Sequence, residues 1–182
     1  IDNFEPATGE VYSQIPDSNE DDVALAVEAA ESAFKDWSVC GVETRSLWLE
    51  KLSDGIQRHF ELFAEAESKD NGKPVSLARE VDIPRAISNF EFYAKAVTQF
   101  SSKAHYMEDK AINYTLRQPL GIVGCISPWN LPLYLFSWKI APALAAGNTV
   151  IAKPSEITPM TAYLLSKVCD EIGFPKGVLN IV

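Results

Sequence analysis

Short apolar runs alternate with helical patterns between Gly121 and Val182, and this alternation limits the fold more than any other feature of the sequence. The runs GIVGCI, NTVIA and GVLNIV have the length and composition of buried strands. The segment LYLFSWKIAPALAAG predicts one helix, and a second should begin at Thr158, with Pro159 in its first turn, and end at Gly173. This β-α-β-α-β order predicts the α/β class, an open parallel sheet with right-handed crossovers.

The residues before this region predict an extended arm followed by helices. ATGE supplies a turn and VYSQI is β-prone, so residues 1–16 should form a hairpin or extended arm. Ser18 opens a capping-box pattern, Ser-x-x-Asp, and apolar residues then follow helical spacing from Val23 to Trp37. A second helix is expected over about 43–59, with Leu49, Leu52 and Ile56 inward, and a third over ELFAEAESKD, ending at Gly72.

A longer helix and a hairpin complete the first part of the chain. The helix should cover roughly Val75 to Phe100, with a kink or boundary at Pro84. The segment HYMEDKAINYTLRQ, residues 105–118, predicts a β-hairpin with polar faces. We therefore divide the chain into an arm with helices (1–104), a protruding hairpin (105–118) and the first half of a sheet (119–182).

The charge and hydropathy pattern excludes several classes of partner. The formal net charge is −9 and no Lys/Arg block stands out, which argues against nucleic acids and anionic membrane surfaces. The longest apolar candidate, Leu131 to Ala146, is interrupted by Lys139 and Pro142, so no membrane-spanning helix is expected.

The cysteines and histidines restrict the chemistry further. The three cysteines, Cys40, Cys125 and Cys169, are widely spaced and form no CxxC motif, which favours a reducing, cytoplasmic location. With His59 and His105 as the two histidines, neither a metal site nor a His-dependent catalytic triad is expected.

Polar residues follow the first two predicted strands, at the point where each strand ends. The segment from Ser127 to Asn130 follows the first strand, and Lys153, Ser155 and Glu156 follow the second. Because ligands bind beyond the carboxyl ends of parallel strands, both groups should face one cleft. The G-x-G-x-x-G fingerprint is absent, so these residues alone fit either a ligand site or ordinary loops with solvated Lys and Glu side chains.

Motifs throughout the chain resemble the aldehyde dehydrogenase superfamily. SPWNLP, WKIAPALAAGNTVIAKPSE, TPMTAYLL, GFPKGVLNIV, PATGEV and DNGKP occur in the order and spacing of that family. ISPWNLPLYLFSWKIAPALAAGN and DIPRAISNFEFYA are most similar to its muconic semialdehyde group. The resemblance implies the N-terminal, NAD-binding part of such an enzyme, roughly its first two-fifths: a Rossmann-like open parallel sheet with N-terminal helices and a protruding β-hairpin that joins subunits into a homo-oligomer, a dimer or tetramer.

The resemblance also implies roles for individual residues. Asn130, between two prolines, matches the amide that donates to the oxygen of the thiohemiacetal intermediate and so contacts the substrate. Lys153 and Glu156 match residues that hold the adenosine ribose of the cofactor, with Ser155 in the same turn, and Glu156 favours NAD over NADP because a carboxylate repels a 2′-phosphate.

Two further groups of residues depend on the same resemblance. The nicotinamide side of the cleft should be lined by Ile126, Ser127, Pro128 and Trp129, although Trp129 fits simple packing equally well. Arg85 matches a guanidinium that binds a substrate carboxylate in the muconic semialdehyde group. A solvated position on a helix face is the alternative for Arg85.

The family's nucleophilic Cys and general-base Glu have no counterpart in the sequence. Cys40, Cys125 and Cys169 match neither the position nor the context of that nucleophile. We therefore expect the chain alone to be inactive on aldehydes, with the complete enzyme oxidising an aldehyde, such as 2-aminomuconic semialdehyde, to the acid. A non-catalytic nucleotide-binding or assembly module, and a generic or betaine-aldehyde-type dehydrogenase, are the alternatives.

Overall fold

The computed structural model describes all residues from Ile1 to Val182. It begins with an antiparallel hairpin of two short strands, as residues 1–16 predict, and three helices follow. These elements are β1 (Asp2–Glu5), β2 (Glu10–Gln14), α1 (Glu20–Trp37), α2 (Val42–Arg58) and α3 (Phe60–Asn71). The third helix ends at Gly72 as predicted, because the left-handed backbone there (φ 76°) is easily adopted by glycine.

A wide helical turn separates the third helix from the next long one. A single turn, α4 (Val75–Leu77), runs into a π-helical stretch (Ala78–Asp82) and then into α5 (Ile83–Gln99). Pro84 lies in the first turn of α5, directly after the π-helical stretch, and has no N–H to donate to a carbonyl of the preceding turn. The predicted interruption of this helix is therefore confirmed, and it takes the form of a π-helical stretch just before Pro84.

The predicted hairpin at residues 105–118 is formed by β3 (Ala104–Met107) and β4 (Ala111–Tyr114). The two strands pair only with each other, and every residue in them is exposed. This hairpin protrudes from the packed part of the molecule.

The C-terminal part is the predicted α/β unit. Its elements are β5 (Ile122–Ile126), α6 (Pro132–Ala145), β6 (Thr149–Lys153), α7 (Met160–Ile172) and β7 (Leu179–Ile181). The three strands are parallel in the order β5-β6-β7, with Ile126 opposite Lys153 at the carboxyl edge. The predicted fold class is confirmed.

The hydrophobic core joins the helices to the sheet in one cluster. Leu49, Leu52 and Ile56 of α2 are fully buried, as their spacing predicts. The apolar pattern predicted for α1 is partly wrong, because Val23 is exposed, whereas Ala30 and Trp37 are buried as predicted and Ala26 is buried as well. The small alanines let α1 lie close to the sheet.

Two predicted helix caps are wrong. The capping box of α1 starts one residue later than expected, since Asn19 rather than Ser18 accepts from the backbone N–H of Asp21 at 2.7 Å. The hydroxyl of Thr158 is buried without a hydrogen-bond partner, and α7 begins at Met160. The first N–H of α7 instead donates to the carboxylate of Asp70, at 2.6 Å, from α3.

Candidate functional site

The two predicted polar segments lie side by side at the carboxyl edge of the sheet. The backbone N–H of Ser127 donates to the carbonyl of Lys153 at 3.1 Å, directly after the last paired residues of β5 and β6. From this point the chain leaves the sheet as two neighbouring loops, 127–131 and 154–159. The surface that these two loops form at the edge of the sheet, called the groove below, is the candidate site.

One side of the groove presents an exposed ion pair. Lys153 Nζ lies 2.7 Å from Glu156 Oε2, and the two side chains are 48% and 57% exposed. The hydrogen bond from Lys153 holds the pKa of Glu156 below its ordinary value. Glu156 is therefore an ionised, solvent-facing acceptor that can bind ligand hydroxyls without breaking a buried contact.

The other side of the groove presents Asn130 and two apolar side chains. Asn130 is exposed, and its side chain makes no hydrogen bond within the protein. Ile126 is 71% exposed and Trp129 is 56% exposed, so both present apolar surface to solvent beside Asn130. The loop therefore offers a free amide and an apolar surface to a ligand.

The serines and prolines of the two loops occupy a different place. Ser127 and Ser155 are buried and line a narrow crevice between the loops, together with Pro128 and Pro154. The Ser127 hydroxyl has no hydrogen-bond partner, and Ser155 Oγ accepts from the N–H of Ile157 at 3.4 Å.

Arg85 is exposed near the start of α5. It lies one helical turn before Asn89, on the same face of the helix. Asn89 Nδ2 donates to the carbonyl of Tyr134 at 3.1 Å and to Ser137 Oγ at 2.9 Å, so this face of α5 borders the start of α6. Arg85 is thus on the side of α5 that faces the helix following Asn130.

The polar contacts at the C-terminal end of α3 were not predicted from the sequence. Glu67 Oε2 accepts from the N–H of Leu133 at 3.3 Å, and Asn71 Nδ2 donates to the carbonyl of Trp129 at 2.9 Å. Acidic residues at the C-terminal end of a helix are electrostatically unfavourable unless another positive partner is near. Glu67 and Asp70 at that end of α3 were therefore the available signal for these contacts.

Glu67 belongs to a buried charge cluster. Lys73 Nζ lies 3.4 Å from Glu67 and 2.9 Å from Asp82, with side-chain exposures of 7% for the lysine and 0% for both acids. Burial raises the pKa of Glu67 to about 7, although Lys73 and the N–H of Leu133 act in the opposite direction. This cluster is separate from the exposed pair in the groove.

Cys125 and Cys169 are not activated nucleophiles. Burial raises the pKa of Cys125 and raises that of Cys169 to about 12, so both remain protonated thiols near neutral pH. No group of three or more His, Cys, Asp or Glu side chains is arranged to hold a metal ion. The helices are all too short or too polar to cross a lipid bilayer.

Comparison with known proteins assigns the chain to a family. The model of the "Aldehyde dehydrogenase family" matches residues 1–182. The chain is 52% identical to 2-aminomuconic semialdehyde dehydrogenase of Danio rerio and 44% identical to 2-hydroxymuconic semialdehyde dehydrogenase of Pseudomonas sp. (strain CF600), covering 100% of this chain and 38% of each relative. The chain thus spans about two-fifths of the length of these relatives.

The fold also closely matches that of solved aldehyde dehydrogenase structures. An NAD+ complex of aldehyde dehydrogenase from Bacillus cereus superposes with a TM-score of 0.96 at 38% identity, over 100% of this chain and 38% of that one. Fold, motifs and family model agree over the whole length, and the chain belongs to the aldehyde dehydrogenase family.

Proposed function

We propose that the groove at the carboxyl edge of the sheet binds NAD and that the chain is the cofactor-binding part of an aldehyde dehydrogenase. The observation that carries this proposal is the position of the exposed Lys153–Glu156 pair beside the loop of Asn130, on adjacent parallel strands. The NAD+ complex of the Bacillus cereus relative supports the choice of cofactor.

The ion pair is suited to the adenosine ribose of this cofactor. An ionised Glu156 accepts hydrogen bonds from both ribose hydroxyls, and Lys153 keeps the carboxylate ionised. A carboxylate at this place repels a 2′-phosphate, which favours NAD over NADP. Bound NAD supplies a hydride acceptor, and exposed Ile126 and Trp129 supply an apolar wall beside it.

Asn130 is suited to stabilise the oxygen of the reacting aldehyde. Its free amide N–H can donate as negative charge develops on that oxygen, and an amide neither titrates nor acts as a base. Pro128 and Pro132 restrict the backbone on either side of it. A side-chain donor to a developing oxyanion contributes about 3–4 kcal/mol at the transition state.

We further propose that the substrate is a semialdehyde carrying a carboxylate. Arg85 is an exposed guanidinium on the face of α5 that borders α6, where it can form a bidentate pair with a carboxylate. The relatives named for 2-aminomuconic and 2-hydroxymuconic semialdehyde support this substrate class.

The test is steady-state kinetics of the full-length protein, with and without the substitution Arg85→Ala. We expect kcat/KM to fall about 10- to 100-fold on 2-hydroxymuconic semialdehyde and to change little on hexanal, because a charge-assisted pair contributes about 1.5–3 kcal/mol. Arg79→Ala is the matched control, since Arg79 is exposed and already paired with Glu61. Equal losses on both aldehydes would mean that Arg85 is structural, and a wild type that forms no NADH from any aldehyde would refute the function.

We also propose that the hairpin of β3 and β4 contacts another subunit. Tyr106, Ile112 and Tyr114 are exposed large side chains, and an isolated two-stranded hairpin is only marginally stable in water. Sedimentation of the full-length protein should give a dimer or tetramer. We expect Ile112→Asp to remain folded, as judged by circular dichroism, and to lose the dimer or tetramer. A wild type that stays monomeric at high concentration contradicts the proposal.

A further inference from the structure

The last turns of α3 contact the first turns of both helices that follow the strands of the groove. Glu67 accepts from the N–H of Leu133 in α6 at 3.3 Å, and Asp70 accepts from the N–H of Met160 in α7 at 2.6 Å. Glu67 is 0% exposed and Asp70 is 1% exposed, so these contacts are screened from water. Two acids three residues apart on one helix thus meet two different helix starts.

Neither α6 nor α7 has a cap of its own. Leu131 and Pro159 occupy the N-cap positions, and neither side chain can accept a hydrogen bond. The first N–H groups of a helix lack intrahelical partners and carry partial positive charge. The carboxylates of α3 therefore supply, from outside each helix, the acceptors that the local sequence does not contain.

The segments entering these two helices are the loops of the candidate site. The loop with Asn130 leads into α6, and the turn with Lys153 and Glu156 leads into α7. Asn71 reinforces the first connection, because its side-chain amide donates to the carbonyl of Trp129, the residue before Asn130. Loss of the hydrogen bond from α3 to the first turn of α6 or α7 would therefore displace the loop that leads into that helix.

We infer that Glu67 and Asp70 are positioning residues with separate tasks, Glu67 fixing the loop that carries Asn130 and Asp70 fixing the turn that carries Lys153 and Glu156. This inference deepens the proposed function and rests on it for its kinetic consequences. Glu67 and Asn71 act on the reacting end of the groove. Asp70 acts on the ribose end.

The two acids are anchored in independent networks. Glu67 is held by Lys73, which also contacts Asp82. Asp70 accepts from Asn3 Nδ2 at 2.8 Å and from the hydroxyl of Tyr12, both in the N-terminal hairpin. The two networks share no hydrogen-bond or ion-pair partner, so a substitution of one acid removes no partner of the other.

The test compares Glu67→Gln and Asp70→Asn in the full-length protein, with Glu65→Gln as control because Glu65 is exposed on the same helix. Both substitutions keep the shape of the side chain and remove its charge. We expect Glu67→Gln to lower kcat about tenfold with the KM for NAD within about twofold, and Asp70→Asn to raise the KM for NAD about tenfold with a smaller change in kcat. Glu65→Gln should match the wild type.

Hydrogen exchange of backbone amides provides a readout that does not depend on activity. Glu67→Gln should speed exchange in residues 128–135 and Asp70→Asn in residues 156–162, each leaving the other segment unchanged. If Glu67→Gln does not fold, Asn71→Ala removes only the contact to Trp129 and should also lower kcat without changing the KM for NAD.

The outcomes distinguish the positioning roles of Glu67 and Asp70 from the proposed function. Equal changes of kcat, KM and exchange in both variants, or no change in either, would overturn the division of tasks. Segment-specific exchange in a protein that oxidises no aldehyde would keep the positioning roles and refute the proposed function.

Discussion

Two lysine–carboxylate contacts in this chain have almost the same length and opposite surroundings. Lys73 lies 2.9 Å from Asp82 inside the protein, and Lys153 lies 2.7 Å from Glu156 at the surface. The first pair is nearly inaccessible, while the second is about half exposed. Distance alone therefore does not distinguish a contact that maintains the fold from one that is free to bind a ligand.

The difference lies in what replaces the contact when it breaks. Water can solvate Lys153 and Glu156 separately, so an exposed pair contributes about 0–1 kcal/mol and exchanges partners easily. Water cannot reach Glu67 and Asp82, so removal of Lys73 leaves buried carboxylates without a counter-charge. We expect the buried cluster to determine stability and the exposed pair to determine binding.

The largest expected effect is that of Lys73→Met. At about pH 8, above the pKa of Glu67, two buried carboxylates would lose their only lysine, and the free energy of unfolding should fall by about 3–5 kcal/mol, measured by urea denaturation. Lys153→Met is the matched control and should change it by no more than about 1 kcal/mol. Similar losses in the two variants would remove the distinction between the clusters.

The next effect concerns pH, through Glu67. Its pKa is about 7 in the folded protein and 4.5 in the unfolded reference, so the folded state binds this proton more tightly. The corresponding stability is fully present below the unfolded value and is lost as pH rises through about 7, by at most about 3 kcal/mol.

Glu67→Gln should therefore flatten the decline in unfolding free energy between about pH 5 and about pH 8. Denaturation curves of wild type and variant at both pH values measure this slope. Glu156→Gln is the contrasting variant, because the pKa of Glu156 is lowered and its small contribution disappears as pH falls rather than rises. A Glu67→Gln profile parallel to the wild type would contradict the assignment.

The smallest effect on stability, with a clear effect on binding, belongs to Glu156→Ala. We expect the KM for NAD to rise about tenfold and the free energy of unfolding to change by less than about 1 kcal/mol. Glu61→Ala breaks another exposed pair, with Arg79 at 2.8 Å, and should alter neither quantity measurably. An unchanged KM in Glu156→Ala would place the ribose elsewhere.

Features that depend on neighbours in sequence were predictable. Leu49, Leu52 and Ile56 follow helical spacing and are buried, and Gly72 and Gly173 end helices in the left-handed conformation. The parallel order of the three strands follows from short apolar runs separated by helices. The division of the chain at residues 105 and 118 stays a prediction.

Features that depend on distant residues were not predictable from local patterns. The N–H at the start of α7 meets Asp70, 90 residues earlier in the chain, and this contact replaces the local cap expected from Thr158. The cluster of Glu67, Lys73 and Asp82 likewise forms only when α3 and the π-helical stretch pack together. For the groove, the sequence indicated which loops meet, while the burial of Ser127 and Ser155 required the folded arrangement.

The number of residues in the π-helical stretch at Ala78–Asp82 also sets how the helices on either side of it are rotated relative to each other. A π turn holds one residue more than an α turn, and each residue of an α-helix rotates the chain by about 100°. Deleting one residue there would turn α4 against α5 by about that angle. Leu77 before the stretch and Arg85 after it could then not both keep their directions. A diverging gene can therefore redirect the arginine through an insertion or deletion, without any substitution at the site itself.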